Sequence, residues 1–343
     1  MKVAIVGSGV IGLSTALYLA LEGFKTKIIT RNPQDATSWV AGGMLAPFSE
    51  GLEGELFKFS YESLKMFPEY VKLVEEVSRL KIDYWNDGMF RVVLKGEEEL
   101  IKKAEQYRAR GYSVEFLEKL DYHSEEVVSI IRYGEEGWVD AENLMDALLL
   151  AMERLGVEIQ IDEIGKVDFK DGRVNSLKGL KESYTADYYV FCTGAWTKEL
   201  FDVPVYPIKG QAIKVKAKPV DVVNYSTISY IIPRSRYTYI GATSEDVAFL
   251  GGNTVSGLNY LCSNAIRVVP SLAKAEVIST LYGFRPTTPD EKPIFIAEEN
   301  YCLLSGHYRN GILHAPITAN IAKSLIKDEV RSVYFEYFSQ ERF

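Results

Sequence analysis

The sequence predicts an α/β fold in which a Rossmann-like domain is interleaved with an α+β domain built on a mostly antiparallel sheet. Three observations carry that expectation. An apolar run near the start leads into a glycine-spaced loop and then a helical pattern. Strand and helix patterns of the same kind resume near residue 140, whereas residues after about 206 turn to short alternating segments separated by turns. At 343 residues the chain also exceeds the usual size of one hydrophobic core.

Composition narrows the partners. With 39 Lys and Arg against 47 Asp and Glu the formal charge is −8, which repels a phosphate backbone and offers no basic tail to an anionic membrane, so nucleic acid is not expected. Cys192, Cys262 and Cys302 lie far apart, with no C-x-x-C pair and no secretory leader. Neither a disulfide framework nor a metal site is expected, and the cytoplasm is the simplest compartment. No apolar run is long enough to cross a bilayer.

Taken in order, Val3-Ala4-Ile5-Val6 reads as a buried parallel strand, Gly7-Ser8-Gly9-Val10-Ile11-Gly12 as the loop after it, and the residues to about Leu21 as a helix. Glycines at this spacing let the backbone turn tightly, approach a pyrophosphate and pack the helix on the sheet. The first helical amides have no partner within the helix and are free to hold phosphate. That describes a dinucleotide site without saying which dinucleotide. The second strand, Lys25 to Thr30, ends in Thr30-Arg31, where a nicotinamide site usually places an acid for the ribose. Either other groups hold the ribose, or Arg31 contacts the adenosine or a phosphate, or the strand end is simply solvated. Ala36 to Pro47 is small and apolar around Gly42-Gly43-Met44, a stretch against which a flat ring can lie.

Leu56 to Leu80 carries apolar residues at helical spacing, with Pro68 expected to start a second helix there. Gly88 to Leu94 reads as a strand and Glu97 to Arg110 as a charged helix closed by Gly111, in a region that looks like an insertion. Asp140 caps a helix from Ala141 to Leu155, followed by a strand from Val157 to Ile161 and a hairpin turning at Asp171-Gly172. Tyr188 to Cys192 is a buried strand ending in the small-residue turn Thr193-Gly194-Ala195-Trp196. Pro207 to Gln211 then leads into strands at Ala212 to Val215, Ser229 to Ile232 and Tyr237 to Ala242, read as a substrate platform. A helix from Leu258 to Val268 and a last strand from Glu276 to Leu281 lead to Gly283-Phe284-Arg285-Pro286. Tyr301 to Leu304 is a strand, Ser305 to Gly311 a polar loop, and Ala315 to Ile326 a helix with Pro316 in its first turn.

Read together, Gly7 to Gly12, Ala36 to Leu45, Gly88-Met89-Phe90, Pro207 to Gln211, Tyr230 to Arg234 with Gly241-Ala242-Thr243, Gly283 to Pro286 and Gly306 to Leu313 resemble the D-amino-acid oxidase family of flavoproteins, most of all its glycine oxidase branch. The resemblance runs from end to end and implies FAD as cofactor. It implies an FAD-binding domain from residues 1–50, 140–205 and 282–343, and a substrate-binding domain from 51–139 and 206–281. The cofactor-contacting residues it implies are Gly7, Gly9, Val10, Ile11 and Gly12, then Thr30, Arg31, Ala36, Thr37, Ser38, Gly42, Gly43 and Met44. Ile164, Thr193, Gly194 and Trp196 follow, and the flavin edge is given to His307, Tyr308, Arg309, Asn310, Gly311, Ile312 and Leu313.

The resemblance further implies that Arg285 pairs with a substrate carboxylate, for which a planar, permanently charged fork is the fitting side chain. The alternative is a structural ion pair with Asp290 or Glu291. Tyr230 matches the family's substrate tyrosine, Tyr225 is a lid-side candidate, and the main-chain carbonyl of Arg309 falls where the family receives the substrate amine. His307 is read as shaping its loop, because no Asp or Ser partner is apparent, and no side-chain base is needed for a hydride to leave the α carbon for flavin N5. The activity so implied is oxidative deamination of glycine or small D-amino acids to the 2-oxo acid and ammonia, with oxygen reduced to hydrogen peroxide. The alternatives are a dehydrogenase for a D- or cyclic amino acid such as proline with another acceptor or a partner subunit, a non-catalytic electron-transfer flavoprotein, and a nicotinamide enzyme. Self-association is left open. Three departures stand out: Thr30 replaces the acid common at that strand end; Gly283 replaces the cysteine by which sarcosine-oxidase relatives attach flavin, so non-covalent FAD is expected; and Ser244 and Ile228 differ from the glycine oxidase branch in ways expected to change the substrate pocket.

Overall fold

The computed structural model describes residues 1–329 and 331–343. One sheet has six strands: β1 (Lys2–Val6), β2 (Lys25–Thr30), β9 (Glu158–Ile161), β13 (Tyr188–Phe191), β19 (Ile294–Ala297) and β20 (Tyr301–Ser305), in the order β19-β20-β13-β1-β2-β9. All neighbours are parallel except β19 with β20. Val3 and Ile5 face a cluster with α1 (Val10–Leu21), α2 (Gly54–Ser78), α4 (Ala141–Arg154) and α6 (Gly311–Ile326). Ala4 and Val6 face the other way, against β10 (Ile164–Lys170), β11 (Arg173–Gly179) and β12 (Ser183–Tyr184), a small antiparallel sheet covering that face. Burial on both faces is why β1 reads as an unbroken apolar run.

The second sheet has eight strands, β5 (Met89–Leu94), β6 (Val114–Leu117), β7 (Val127–Tyr133), β14 (Tyr206–Lys216), β15 (Asn224–Tyr225), β16 (Tyr230–Pro233), β17 (Thr238–Gly241) and β18 (Glu276–Thr287). Their order is β18-β14-β17-β16-β15-β5-β7-β6. Every pairing is antiparallel except β15 with β5, so the segment that looks like an insertion completes the same sheet as the later strands. α5 (Val255–Val268) packs over this sheet, and α3 (Glu99–Ala109) flanks β6. A three-stranded ribbon, β3 (Met44–Leu45), β4 (Tyr84–Trp85) and β8 (Gly137–Val139), ties the region around Gly43 to the stretch before α4, and α7 (Tyr334–Tyr337) sits beside β19.

Several boundaries differ from expectation. α2 runs unbroken through Pro68. A mid-helix proline costs about 3 kcal/mol, but Leu64, Phe67, Val71 and Val74 on both sides of it are buried in one cluster, and each such side chain contributes about 1.5–3 kcal/mol on burial. Pro207 to Gln211 lies inside β14, and Gly283 to Pro286 inside β18, so the boundary expected at residue 282 falls within a strand. Pro207 and Pro286 sit opposite each other near the end of that pairing, with β18 at the sheet edge, where missing amide donors are tolerated. α6 begins at Gly311, four residues before the expected start, leaving Pro316 inside it. β19 was not anticipated at all: its antiparallel pairing with β20 is a long-range choice that a four-residue apolar run does not announce.

Candidate active site

A cavity of about 720 Å³ runs between the two sheets, past the carboxyl ends of β1, β13 and β20. In open α/β sheets that is where ligands sit, because loops and helix N-termini converge there. At one end, Gly7 takes φ +107°, and a Cβ on it would collide with the carbonyl oxygen of Cys192; one on Gly12 would collide with the carbonyl oxygen of Gly7. The loop therefore closes against the next strand only if both positions lack a side chain. The first turn of α1 carries no acidic residue and no side-chain cap on Gly9, and the Val10 amide donates to Ser38 Oγ at 3.0 Å.

Thr30 accepts from Ser8 (2.8 Å), which fixes the strand end to the glycine loop. Arg31 lies 5.0 Å over the Trp196 ring and 3.5 Å from Asp35, so it is neither simply solvated nor free. Asp162, also on the cavity wall, is saturated: it accepts from the amides of Glu163, Lys181 and Glu182 and from the Tyr184 hydroxyl.

The middle of the cavity is walled by the 36–45 segment, held by contacts from distant elements. Thr37 Oγ1 donates to the Phe284 carbonyl (2.7 Å), Tyr239 donates to the Val40 carbonyl (2.8 Å), and Arg234, itself buried over Trp138, donates to the Gly42 carbonyl (2.5 Å). A Cβ on Gly283 would strike Thr37 and Val40, and one on Gly42 would press on Tyr230, Ile232 and Tyr239. Across from it lie His307 to Ile312 and the N-terminus of α6, which has no acidic residue in its first turn.

Arg285, Tyr230, Glu50, Thr243 and Ser244 close the other end. Arg285 Nη1 donates to the Thr243 carbonyl (3.0 Å) and makes no ion pair among the described residues; Asp290 binds Arg342 instead, at 2.9 Å. Gly210, on the neighbouring strand, makes room for it: a Cβ there would fall 2.6 Å from the guanidinium carbon. Tyr230 stands between the parallel rings of Tyr225 (6.1 Å) and Tyr239 (6.2 Å). Burial raises its hydroxyl pKa, and the nearby Arg285 opposes that rise. Arg309 donates to the Tyr308 hydroxyl (3.0 Å) and lies 4.0 Å from Glu50.

The structure brings nearly all of the expected cofactor set to this one cavity, including Ile164, Thr193 and Gly194. Gly12 and Leu313 do not line it: Gly12 serves the loop closure, and Leu313 is buried in the core beneath α6. Ile228, in the turn between β15 and β16, packs in the cluster under α5 rather than in the cavity; Ser244 does reach the cavity. Tyr225 backs Tyr230 from behind. His307 has a partner that sequence did not reveal. Its Nδ1 shares a 3.2 Å hydrogen bond with His314 Nδ1, and His314 Nε2 meets Ser60 Oγ at 2.8 Å. Glu50, five residues past Leu45, was missed; nothing in the local pattern separates it from a surface loop acid.

These features fit FAD. The bare helix N-termini of α1 and α6 suit a pyrophosphate and the electron-rich edge of a reduced flavin ring, and the glycine-cleared wall at 42, 43 and 283 suits its faces. Nε2 of the cavity-lining His307 is buried with no partner among the described residues, as a contact to a polar ring edge would require.

Comparison with known proteins agrees with that fit. Residues 2–325 match the family described as FAD dependent oxidoreductase, DAO. The chain is 35% identical over 359 residues to the bifunctional protein ThiO/ThiG of Trichormus variabilis, covering 99% of this chain but 55% of that protein, so it spans about half the length of that relative. It is 27% identical over 366 residues to glycine oxidase of Geobacillus kaustophilus, covering 99% of this chain and 96% of the relative. The crystal structure of glycine oxidase from Geobacillus kaustophilus superposes with a TM-score of 0.93 at 25% identity, over 100% of this chain and 99% of that one.

Proposed function

The chain belongs to the DAO family of FAD-dependent oxidoreductases, and on that premise we propose that it deaminates glycine or a small D-amino acid oxidatively, with oxygen as final acceptor and hydrogen peroxide as product. The observation that carries this reading is Arg285: a guanidinium without an ionic partner among the described residues, held in place by the Thr243 carbonyl and set beside Tyr230 at the closed end of the cavity. Such a fork, half-buried, calls for a bidentate carboxylate. Tyr230 adds a hydroxyl donor to the same carboxylate and narrows the space beside it. Small substrates fit because the parallel Tyr230 and Tyr239 rings, with Tyr225 stacked behind Tyr230, wall that end.

FAD, when bound, supplies the acceptor for the α-hydrogen and its electron pair. The chain's own residues do the rest. Arg285 and Tyr230 fix the carboxylate, the Arg309 carbonyl receives an amine N–H, and together they leave the α carbon one orientation; positioning of this kind accounts for much of a barrier when the cofactor carries the hard step. Gly283 and its neighbours Thr37 and Val40 offer no thiol, which supports non-covalent FAD. The likeness to glycine oxidases supports the substrate class, and the likeness to one part of a bifunctional protein leaves the activity of any longer whole protein within the same proposal.

The test is anaerobic flavin reduction by purified holoprotein with glycine, D-alanine, L-proline and N-methyl glycine. Bleaching by glycine or D-alanine, lost in Arg285→Ala, is the expected result. Bleaching by L-proline alone, or a variant that bleaches as well as the parent, overturns the reading. Peroxide formed stoichiometrically in air, rather than turnover only with an artificial acceptor, marks an oxidase.

A further inference from the structure

A zwitterionic amino acid arrives with its nitrogen protonated, and no hydride can leave the α carbon toward an acceptor until that nitrogen has a free lone pair. Neither Arg285 nor Tyr230 can take the proton, since one is permanently charged and the other has its pKa raised, not lowered. The Arg309 carbonyl accepts a hydrogen bond but not a proton. Unless the substrate arrives already neutral, another group at the closed end of the cavity has to do so.

We propose that Glu50 is that group, a catalytic residue that accepts the ammonium proton of the bound substrate. This rests on the amino-acid reading above. Six acids line the cavity, and only Glu50 stands at the Arg285 end with lone pairs to spare. Asp162 is saturated by four donors, Asp35 is engaged by Arg31 and Asn32, and Glu245 is bonded to Thr243, Gln211 and Lys209. Glu163 and Glu199 are exposed at the nucleotide end. Glu50 is held in a buried turn, its closest ionic partner Arg309 at 4.0 Å, looser than a direct charge-assisted bond.

The turn is fixed from behind. Glu136, fully buried, accepts from the amides of Phe48 (2.6 Å) and Ser49 (2.8 Å) and pairs with the Ser49 hydroxyl. The Glu50 amide donates to Ala46 (2.9 Å), and that of Gly51 to Phe48 (2.9 Å). The charged and titratable groups that face Glu50 are Arg309, Arg285, Arg91, Tyr225 and Glu136. Burial raises its pKa above that of a solvated carboxylate and so makes it the more basic, while Arg309, a hydrogen bond from Tyr225, Arg285 and Arg91 oppose the rise.

The step balances without any redox change. An N–H bond of the ammonium breaks, the proton passes to a carboxylate oxygen of Glu50, and the electron pair stays on nitrogen. Glu50 returns the proton to water once product has left. The α-hydrogen itself meets no side-chain base.

Glu50→Gln keeps the size and removes the basicity. In stopped-flow anaerobic reduction with glycine or D-alanine, the parent holoprotein should show a reduction efficiency nearly flat from neutral to alkaline pH. Glu50→Gln should fall by about 10²-fold near neutrality and recover about tenfold per pH unit toward the amine pKa, because substrate must then arrive already neutral. Glu50→Asp should restore the flat profile at a lower rate. Binding of acetate, read as a perturbation of the flavin absorbance, should not weaken in either variant, since acetate has no ammonium and Glu50→Gln removes a negative charge that faces Arg285. A Glu50→Gln profile parallel to the parent at every pH, or an equal loss of acetate binding, overturns the proposal. If no amino acid bleaches the parent, the functional reading fails first and independently of Glu50.

Discussion

A guanidinium without an ionic partner is half of a charge pair, and among the described residues Arg285 has none; in the proposed function substrate completes it. Its position depends on Gly210 as much as on itself. In Gly210→Ala a Cβ would sit 2.6 Å from the guanidinium carbon and push the fork aside. Displacing one partner of a buried charge pair costs about 3 kcal/mol, so kcat/KM should fall by about 10²-fold while FAD is still retained; steady-state kinetics beside flavin stoichiometry checks both halves. His307 and His314 make a second prediction. Burial holds the His307 pKa down to about 3 and that of His314 well below 6.5. Below about pH 6.5 the unfolded chain binds protons that the folded protein refuses, so stability is lost as pH falls from there toward 3. The slope contributed is at most about 1.4 kcal/mol per pH unit for each imidazole. Thermal melts of His314→Gln should fall less steeply with acid than those of the parent, whatever their absolute Tm; equal slopes would sink the assignment.

Among the elements, α2 shows packing overruling propensity. Pro68 is exposed on a helix whose other face is buried from Leu56 to Val74, and the helix continues through it. Replacing it should therefore relieve a local cost without disturbing the core. Pro68→Ala is expected to stabilise by about 1 kcal/mol or more and to raise Tm by about 1–2 °C, measured by calorimetry. A lower Tm would mean that the proline is matched to a bend the surrounding helices require. In α6 the early start at Gly311 matters more for function: it brings a helix N-terminus directly to the cavity wall instead of one turn away, where its partial charge would have faded.

At the scale of the whole molecule, one cavity joins the two sheets, so cofactor binding should stabilise the entire chain. FAD at a hundredfold excess over its Kd contributes about 2.7 kcal/mol, and Tm should climb with the logarithm of FAD concentration. Gly7→Val should abolish that climb, because a side chain at φ +107° cannot fit against the Cys192 carbonyl. Protein that stays colourless and shows no shift with FAD would contradict the cofactor site.

The sequence by itself determined the pieces whose signals are local: β1 to within a residue, the glycine loop and α1, the Asp140 cap on α4, which accepts from the Asn143 amide at 3.1 Å, and the Asp171-Gly172 hairpin turn. Each follows from backbone chemistry acting over a few residues, and the short motifs joined to a family resemblance extended that reading to Arg285 and Tyr230. Only the tertiary structure decided what pairs across distance. It brought Glu50 and Arg285 to one cavity, linked His307 to His314 and Ser60, turned Ile228 away from the cavity, and gave β14 and β18 their full length. These outcomes hang on which faces are buried against which partners, and that energy is shared among residues tens to hundreds of positions apart, where no local pattern records it.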